Sequence, residues 1–202
     1  MKYKIVSSGS KGNCVIINDV MIDAGVPFSK IKDDLYHIKY LILTHTHSDH
    51  MKFETLTKIA MNFPRIVIIG NYEVNQVFKV NKIANAGFDV ETEDYIFKPF
   101  EAEHDVLCYG YSWTYQDKRI IYCTDTGSLD NAPDGIFDYF FLESNHDEEK
   151  LEKARDQRKG RYDPYLSGKR HLSTQAAKAF FYLHRRSAES ELIELHKSSR
   201  FY

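Results

Sequence analysis

The segment from residue 45 to 50, His-Thr-His-Ser-Asp-His, combines three imidazoles with a carboxylate and follows the apolar run 40–43. Residues two apart on a strand share a face, so His45 and His47 can bind one ion, while a turn lets Asp49 and His50 bind a second. Imidazole with carboxylate suits zinc, manganese or iron, whereas calcium prefers oxygen ligands and structural zinc recruits thiolates. The spacing indicates a catalytic two-metal site, and the alternative is a histidine cluster on a surface loop.

A two-metal centre needs about six or seven protein ligands, so others are expected at the ends of further strands. His104, Asp125 and His196 each end or follow a strand-like run. His184 is a rival for the last position, but it lies in a predicted helix beside two arginines, where a solvent-facing side chain is expected. Each residue alone is typical of an ordinary loop, and their joint occurrence at strand ends predicts ligands.

Alternating strand-like and helix-like segments must position these side chains. Two groups of strands with intervening helices favour an α/β sandwich of two sheets covered by helices, in one domain spanning 1–202. Ser173 is the predicted N-cap of the last helix. The strand-like runs are 3–6, 14–17, 20–22, 40–43, 65–69, 96–100, 107–115, 119–123 and 139–142, and the helical patterns are 53–61, 72–80 and 174–183.

Composition bounds the class of protein. With 202 residues, 43% of them hydrophobic, the chain can bury one sizeable core. Cys14, Cys108 and Cys123 lie in apolar runs without CxxC spacing, which predicts buried, reduced thiols and a cytoplasmic protein. No run is long enough for a signal peptide or a membrane span. The net charge of −2 argues against holding nucleic acid mainly by a global positive field.

One region is nevertheless basic. Acidic residues share it, so a solvated helix face and a phosphate-binding surface both remain open interpretations. Its cations, interleaved with Tyr162 and Tyr165, are Lys150, Lys153, Arg155, Arg158, Lys159, Arg161, Lys169 and Arg170.

The order of these motifs, an aspartate, HxHxDH, a histidine, an aspartate and a last histidine, resembles the metallo-β-lactamase fold hydrolase superfamily. The resemblance implies an αββα sandwich with two mixed sheets flanked by helices, and two divalent ions per chain, Zn²⁺ or Mn²⁺. It makes Asp23 an acceptor that orients the metal loop, where the alternative is a turn aspartate beside Gly25. The implied ligands are His45, His47 and His104 for one ion, Asp49, His50 and His196 for the other, and Asp125 between them.

Further segments resemble particular branches of that superfamily. SSGSKGN at 7–13, ESNHD at 143–147 and HLS at 171–173 are similar to the YycJ (WalJ) group, which is linked to phosphodiester cleavage of DNA. The HLS histidine and the ending HKSSRFY at 196–202 are also similar to the tRNA-processing ribonuclease Z branch. The chain departs from both, because it has no β-CASP insertion and no tRNA-gripping arm.

The resemblance implies phosphodiester hydrolysis. Two divalent ions would activate a water and neutralise the phosphate, and Asp49 would orient or deprotonate that water. His171 would stabilise developing negative charge or protonate the leaving oxygen, while Ser198 or Arg200 contacts phosphate.

The two remaining motif segments have competing explanations. Asn145 and His146 are candidate substrate contacts, although Asn145 and Asp147 could simply cap a helix that starts near residue 148. The segment 7–13 could be only a glycine-rich hairpin turn, and its spacing does not match a nucleotide-binding P-loop.

Several functions fit these residues. The leading one is a YycJ-like nuclease, and the nearest competitor is a cyclic-nucleotide phosphodiesterase of the phage anti-Pycsar type that degrades an immune signal. Lactone or thioester hydrolysis on the same fold is more remote, as is a metal-binding module without turnover. The expected partner is a nucleic acid or cyclic nucleotide, without a membrane, and relatives make a homodimer a further expectation.

Overall fold

The computed structural model describes residues 1–155 and 163–202. The chain divides into two compact units, Met1–Asn85 and Ala86–Tyr202. Arg158, Lys159, Arg161 and Tyr162 of the basic region lie outside the described residues. The single domain expected from the sequence stays a prediction.

The first unit is built on a six-stranded mixed sheet with the order β1-β2-β3-β4-β5-β6. Strands β1 to β3 pair antiparallel, and β3 to β6 pair parallel. The strands are β1 Tyr3–Ser7, β2 Cys14–Ile17, β3 Val20–Ile22, β4 Tyr40–Leu43, β5 Val67–Gly70 and β6 Lys82–Ile83, and the helices are α1 Phe53–Asn62 and α2 Tyr72–Val77, besides 3₁₀ turns at Phe28–Lys30 and Asp34–His37.

The second unit has its own six-stranded mixed sheet, with the order β12-β11-β10-β9-β8-β7. Strands β7 to β10 pair antiparallel, and β10 to β12 pair parallel. The strands are β7 Val90–Glu91, β8 Ile96–Ala102, β9 Cys108–Tyr115, β10 Lys118–Cys123, β11 Tyr139–Glu143 and β12 Glu191–Leu195, and the helices are α3 Glu148–Glu152, α4 Pro164–Gly168 and α5 Thr174–His184.

The parallel strands that lie inside each sheet are largely buried. Every residue of β3 and β4 is buried, as are four of the five residues of β11. Parallel strands covered on both faces read as continuous apolar runs, and polar groups collect where such strands end. Asp23 follows β3, Asp125 lies two residues beyond β10, and His196 follows β12.

Most elements occur where the sequence predicts them. Ser173 caps α5, because its hydroxyl oxygen accepts the N–H of Ala176 at 3.0 Å, as expected. Helix α2 is shorter than its apolar pattern and ends at Val77. The two-residue strands β6 and β7 were not predicted, because so short a pair carries no periodicity.

The three cysteines are buried and form no disulfide, as predicted. Among residues 1–155 and 163–202, no helix combines the length and the apolar character that crossing a membrane requires.

Candidate metal centre

The histidine loop of the first unit, residues 45–50, follows the fully buried strand β4. His45 and His50 are buried, while His47 and Asp49 are partly exposed. The ring centroids of His45 and His47 are 4.7 Å apart, and those of His45 and His50 are 4.1 Å apart. The loop therefore gathers three imidazoles at one end of the parallel strands.

Asp23 fixes this loop through both carboxylate oxygens. Its Oδ1 accepts the main-chain N–H of Thr44 at 2.9 Å, and its Oδ2 lies 2.7 Å from Nδ1 of His50. Because a carboxylate accepts, Nδ1 of His50 donates and its Nε2 keeps the lone pair that a metal would use. The geometry supports the orienting role expected for Asp23.

Thr44 extends the same network to a second imidazole. Its hydroxyl lies 2.9 Å from Oδ2 of Asp23 and 2.9 Å from Nδ1 of His45. The hydroxyl donates its one hydrogen to the carboxylate, so it accepts from Nδ1 of His45. His45 therefore also directs Nε2 away from this network. The sequence did not single out Thr44, because a threonine after a strand is ordinary.

The second unit carries a cluster of four acid and imidazole side chains: Asp125, Glu143, His171 and His196. One potential ligand atom from each lies within 4.8 Å of the others. They come from the carboxyl ends of three neighbouring parallel strands and from the segment before α5. The cluster unites three of the predicted site residues with Glu143, which was not predicted as a site residue.

Glu143 is the centre of that cluster and is fully buried. Its Oε1 lies 2.7 Å from Nδ1 of His171 and 2.7 Å from Nδ1 of His196. Its Oε2 accepts the N–H of Thr126 at 2.9 Å. Both imidazoles therefore donate from Nδ1 to one carboxylate, which fixes the two rings together.

Burial and hydrogen bonding shift the pKa values of this cluster in opposite directions. Burial raises the pKa of Glu143, but hydrogen bonds from His171 and His196 outweigh it and hold that pKa below its usual value. Burial lowers the pKa of His171, but the hydrogen bond to Glu143 and the charges of Glu143 and Asp125 raise it above the usual value. Glu143 is thus stabilised as a carboxylate and His171 as an imidazolium.

Several site residues have left-handed backbone conformations. The φ angles of Asp23, Asp125 and His196 are 60°, 54° and 52°. Outside glycine this region is sparsely populated and costs energy, so the surrounding contacts must impose it. Each of the three residues turns the chain sharply out of, or just beyond, a parallel strand.

The other two candidate histidines have different surroundings. His104 is largely buried, with its Nε2 3.3 Å from Oδ1 of Asp105, and its ring centroid lies 6.4 Å from that of His171. His184, the rival ligand, ends α5 with Nδ1 2.8 Å from the carbonyl oxygen of Gly135 and its ring stacked on Phe180. This half-buried packing differs from the solvent exposure expected for His184.

The ESNHD segment supports the chain around His196. The amide of Asn145 donates to the carbonyl oxygen of His196 at 2.8 Å, and Asp147 caps α3 by accepting the N–H of Lys150 at 3.0 Å. The predicted cap is thus present at Asp147, whereas Asn145 braces His196. His146 is buried, and burial lowers its pKa. Substrate contacts by Asn145 and His146 stay predictions.

The last residues are folded onto the same segment. The N–H of Ser198 donates to the carbonyl oxygen of Asn145 at 2.8 Å, and the Ser198 hydroxyl accepts the N–H of Arg200 at 3.2 Å. Ser198 therefore shapes a turn, and the guanidinium of Arg200 lies 4.9 Å from the ring centroid of Phe201. Their phosphate contacts stay predictions.

Part of the basic region surrounds an aromatic ring. The guanidinium of Arg155 and the ammonium of Lys169 lie 5.4 and 5.6 Å from the ring centroid of Tyr165. Arg155 also pairs with Glu152 at 2.8 Å. Arg155 is thus paired with an acidic side chain, and both interpretations of this region stay open.

The donor chemistry of both units suits zinc-type ions. In each unit a buried carboxylate accepts a hydrogen bond from Nδ1 of an imidazole, so Nε2 is left to bind a metal. Histidine ligands of metals are usually supported in this way. The residues present therefore fit divalent metal ions, and the complete ligand set inferred from the sequence stays a prediction.

Known proteins are similar to this chain in sequence and in fold. Exodeoxyribonuclease YycJ of Bacillus anthracis is 26% identical over 200 residues, which cover 86% of this chain and 71% of that protein. The structure of human tRNase Z, short form, has a TM-score of 0.73 at 16% identity, covering 99% of this chain and 93% of that one. The metallo-β-lactamase fold protein YhfI of Bacillus subtilis has a TM-score of 0.69 at 15% identity, covering 97% and 85%.

These similarities confirm the predicted α/β fold class, with two mixed sheets and flanking helices. They also confirm the resemblance inferred from the motifs. The family described as Beta-lactamase superfamily domain matches residues 18–184. Because that match spans most of the sequence, the chain belongs to the beta-lactamase superfamily.

Proposed function

We propose that the protein is a metal-dependent phosphodiesterase that hydrolyses nucleotide phosphodiester bonds. The observation that carries the proposal is the pairing of Glu143 with His171 and His196 at 2.7 Å each. Through this pairing Glu143 joins His196, a predicted metal ligand, to His171, which is not in the predicted ligand set. An imidazole outside the ligand set can protonate the alkoxide oxygen that leaves in phosphodiester hydrolysis, whereas a thioester releases a thiolate, which leaves without a proton.

The proposed cofactor is a pair of divalent ions bound by the ligand set named above, Zn²⁺ or Mn²⁺. When bound, such ions polarise a water and neutralise phosphate charge. Asp49 then orients or accepts a proton from the attacking water. Its side chain is 30% exposed, which leaves it accessible from solvent.

His171 is the proposed proton donor. Glu143 holds Nδ1 and thereby leaves Nε2 as the donor toward substrate. The His171 side chain is 21% exposed, in contrast to the fully buried Glu143. An N–H at Nε2 can donate to a phosphate oxygen as negative charge develops, or pass its proton to the leaving oxygen.

A nuclease is the most direct form of this function. It is supported by the similarity to a protein named exodeoxyribonuclease YycJ, and by the cations Lys169 and Arg170 directly before His171. Those cations are exposed and can meet the phosphates that flank a scissile bond in a polymer. A cyclic mononucleotide offers no flanking phosphate.

The test is hydrolysis by the metal-loaded protein. Purified protein with measured zinc and manganese content is assayed on bis(p-nitrophenyl) phosphate, linear DNA, RNA and cyclic nucleotides. Metal-dependent cleavage of the generic ester together with DNA or RNA supports the nuclease. Cleavage of cyclic nucleotides without DNA or RNA supports the competing small-substrate enzyme. Bound metal without any phosphodiester cleavage contradicts the proposal and redirects attention to lactones and thioesters.

A further inference from the structure

Asn13 is a buried polar residue to which the proposed function gives no role. It is 2% exposed and ends the segment 7–13, just before β2. Gly12 has a φ of +137°, and a Cβ there would lie 2.6 Å from the carbonyl oxygen of Gly25. Glycine is therefore required for this segment to lie against the loop that follows β3.

The main chain of Asn13 ties together the loops after β3 and β4. Its N–H donates to the carbonyl oxygen of Asp49 at 2.6 Å, and its carbonyl oxygen accepts the N–H of Gly25 at 2.9 Å. The position of Asn13 is thus fixed relative to the histidine loop before its side chain makes any contact.

The side-chain amide of Asn13 has a defined orientation. The N–H of Gly9 points at Oδ1 of Asn13 from 2.7 Å and needs an acceptor, so Nδ2 must face the opposite way. That nitrogen lies 2.7 Å from Nε2 of His50 and 3.3 Å from Oδ2 of Asp49. One amide therefore lies within reach of two residues proposed to bind the same ion.

The amide and a metal ion compete for one lone pair. Nδ1 of His50 donates to Asp23, so the only lone pair of the ring in its plane is on Nε2, where the amide donates. An ion bound at Nε2 uses that lone pair and displaces the N–H. The second N–H of the amide donates to Oδ2 of Asp49 at 3.3 Å, and an ion at Nε2 of His50 leaves that bond in place.

We propose that Asn13 is a positioning residue for the ion bound by Asp49 and His50. Its amide donates to both Nε2 of His50 and Oδ2 of Asp49 in the metal-free protein, and it keeps only the bond to Asp49 when the ion is bound. This inference rests on the metal site of the proposed function and not on its substrate.

The bond to Asp49 is the one that serves the metal-bound form. A hydrogen bond to a carboxylate is stronger than one to a neutral imidazole, so the contact that orients Asp49 for the ion outweighs the contact that the ion displaces. Loss of such a partner of a metal-binding side chain typically weakens metal affinity about 10- to 100-fold. His50 itself stays fixed by Asp23, so the effect acts through Asp49.

The experiment compares zinc binding by Asn13→Ala, Asn81→Ala and the unaltered protein, each prepared metal-free and titrated in competition with a chelator. Asn81 is the matched control, because its Oδ1 also accepts a main-chain N–H at 2.7 Å, from Ile68 in the same unit. We expect Asn13→Ala to weaken one zinc equivalent about 10- to 100-fold. Asn81→Ala should leave both equivalents unchanged.

A measurement on the unaltered protein does not depend on whether the variants fold. In ¹⁵N-labelled protein, the side-chain amide signals of Asn13 should shift when zinc is added, while those of Asn81 stay in place. Equal zinc affinities of Asn13→Ala and the unaltered protein, or unmoved Asn13 signals, would overturn this inference alone. An unaltered protein that binds no zinc would overturn the proposed function as well.

Discussion

The two units hold their imidazoles in different ways. In the first unit Asp23 contacts His50 directly and reaches His45 only through the Thr44 hydroxyl. In the second unit one oxygen of Glu143 contacts both His171 and His196 at 2.7 Å. A carboxylate that serves one histidine directly can fix one ligand, whereas a shared carboxylate links a proposed ligand to a proposed proton donor. We infer that Asp23, the supporting carboxylate of the first unit, serves metal binding alone, whereas Glu143, that of the second unit, also serves proton donation.

The largest effect is expected from Glu143→Gln. The neutral amide keeps the volume but loses the negative charge that supports His171 and His196, so proton donation and metal binding both suffer. We expect phosphodiester turnover to fall about 1,000-fold, within the range of a lost general acid. Zinc affinity should fall about 10- to 100-fold in the same variant.

The matched control for Glu143 is Glu191→Gln, at the start of β12, where the side chain is exposed. It should behave like the unaltered protein in turnover and in zinc affinity. If Glu143→Gln lost turnover with zinc affinity unchanged, the shared carboxylate would serve His171 only, and the contrast between the units would disappear.

The next effect is expected from His171→Ala. The ligand set leaves His171 free of metal, so its removal should reduce kcat about 100-fold, the lower end of the range for a general acid, while zinc content stays the same. Rates on linear DNA, whose leaving group is an alkoxide, and metal analysis of the same samples measure both quantities. Full turnover with unchanged metal would refute the proton-donor role.

A substrate with a better leaving group sharpens that result. An ester whose leaving oxygen needs no proton should lose less rate in His171→Ala than one with an alkoxide leaving group. Equal losses on both esters would mean that His171 acts by holding the phosphate and not by donating a proton.

An intermediate effect is expected from Asp23→Asn in the first unit. The amide no longer fixes Nδ1 of His50 as the donor, so zinc affinity should fall about 10- to 100-fold. When excess zinc restores the metal content, turnover should recover most of its value, unlike in Glu143→Gln. Chelator competition and rates at increasing zinc measure the two quantities. Turnover that stays low in fully loaded Asp23→Asn would place Asp23 in the chemistry and contradict the division of tasks.

The sequence predicted the clustered side chains of the first unit more completely than those of the second. The spacing from His45 to His50 is local, so two periodicity rules suffice to group its side chains. Glu143 and His171 are 28 residues apart and meet only because β11 ends beside the segment that begins α5. Non-local pairing of this kind produces no regular spacing in the sequence. The sequence therefore does not identify Glu143 as a site residue, although it singles out the segment 143–147.

The supporting contacts were also beyond sequence patterns. Thr44 and Asn13 are common residue types in common contexts, and their roles depend on distances below 3 Å to particular imidazole nitrogens. The helix N-cap was easier to predict, because Ser173 directly precedes a helical pattern. Apart from Asp23, whose role the superfamily resemblance implied, the supporting residues that could be predicted are those whose partners lie within one turn or one strand.

The smallest effect is expected from Thr44→Val. Valine keeps the branched shape but removes the hydroxyl that joins Asp23 to His45, and it leaves Nδ1 of His45 without that acceptor. A buried neutral hydrogen bond contributes about 1 kcal/mol, so zinc affinity should fall only about fivefold. Thr44→Ser retains the hydroxyl and should bind zinc like the unaltered protein in the same chelator titration. Because the Thr44 hydroxyl joins Asp23 to His45, a loss as large as that of Asp23→Asn would mean that the carboxylate acts mainly on His45. The first unit would then resemble the second, with one carboxylate governing two imidazoles.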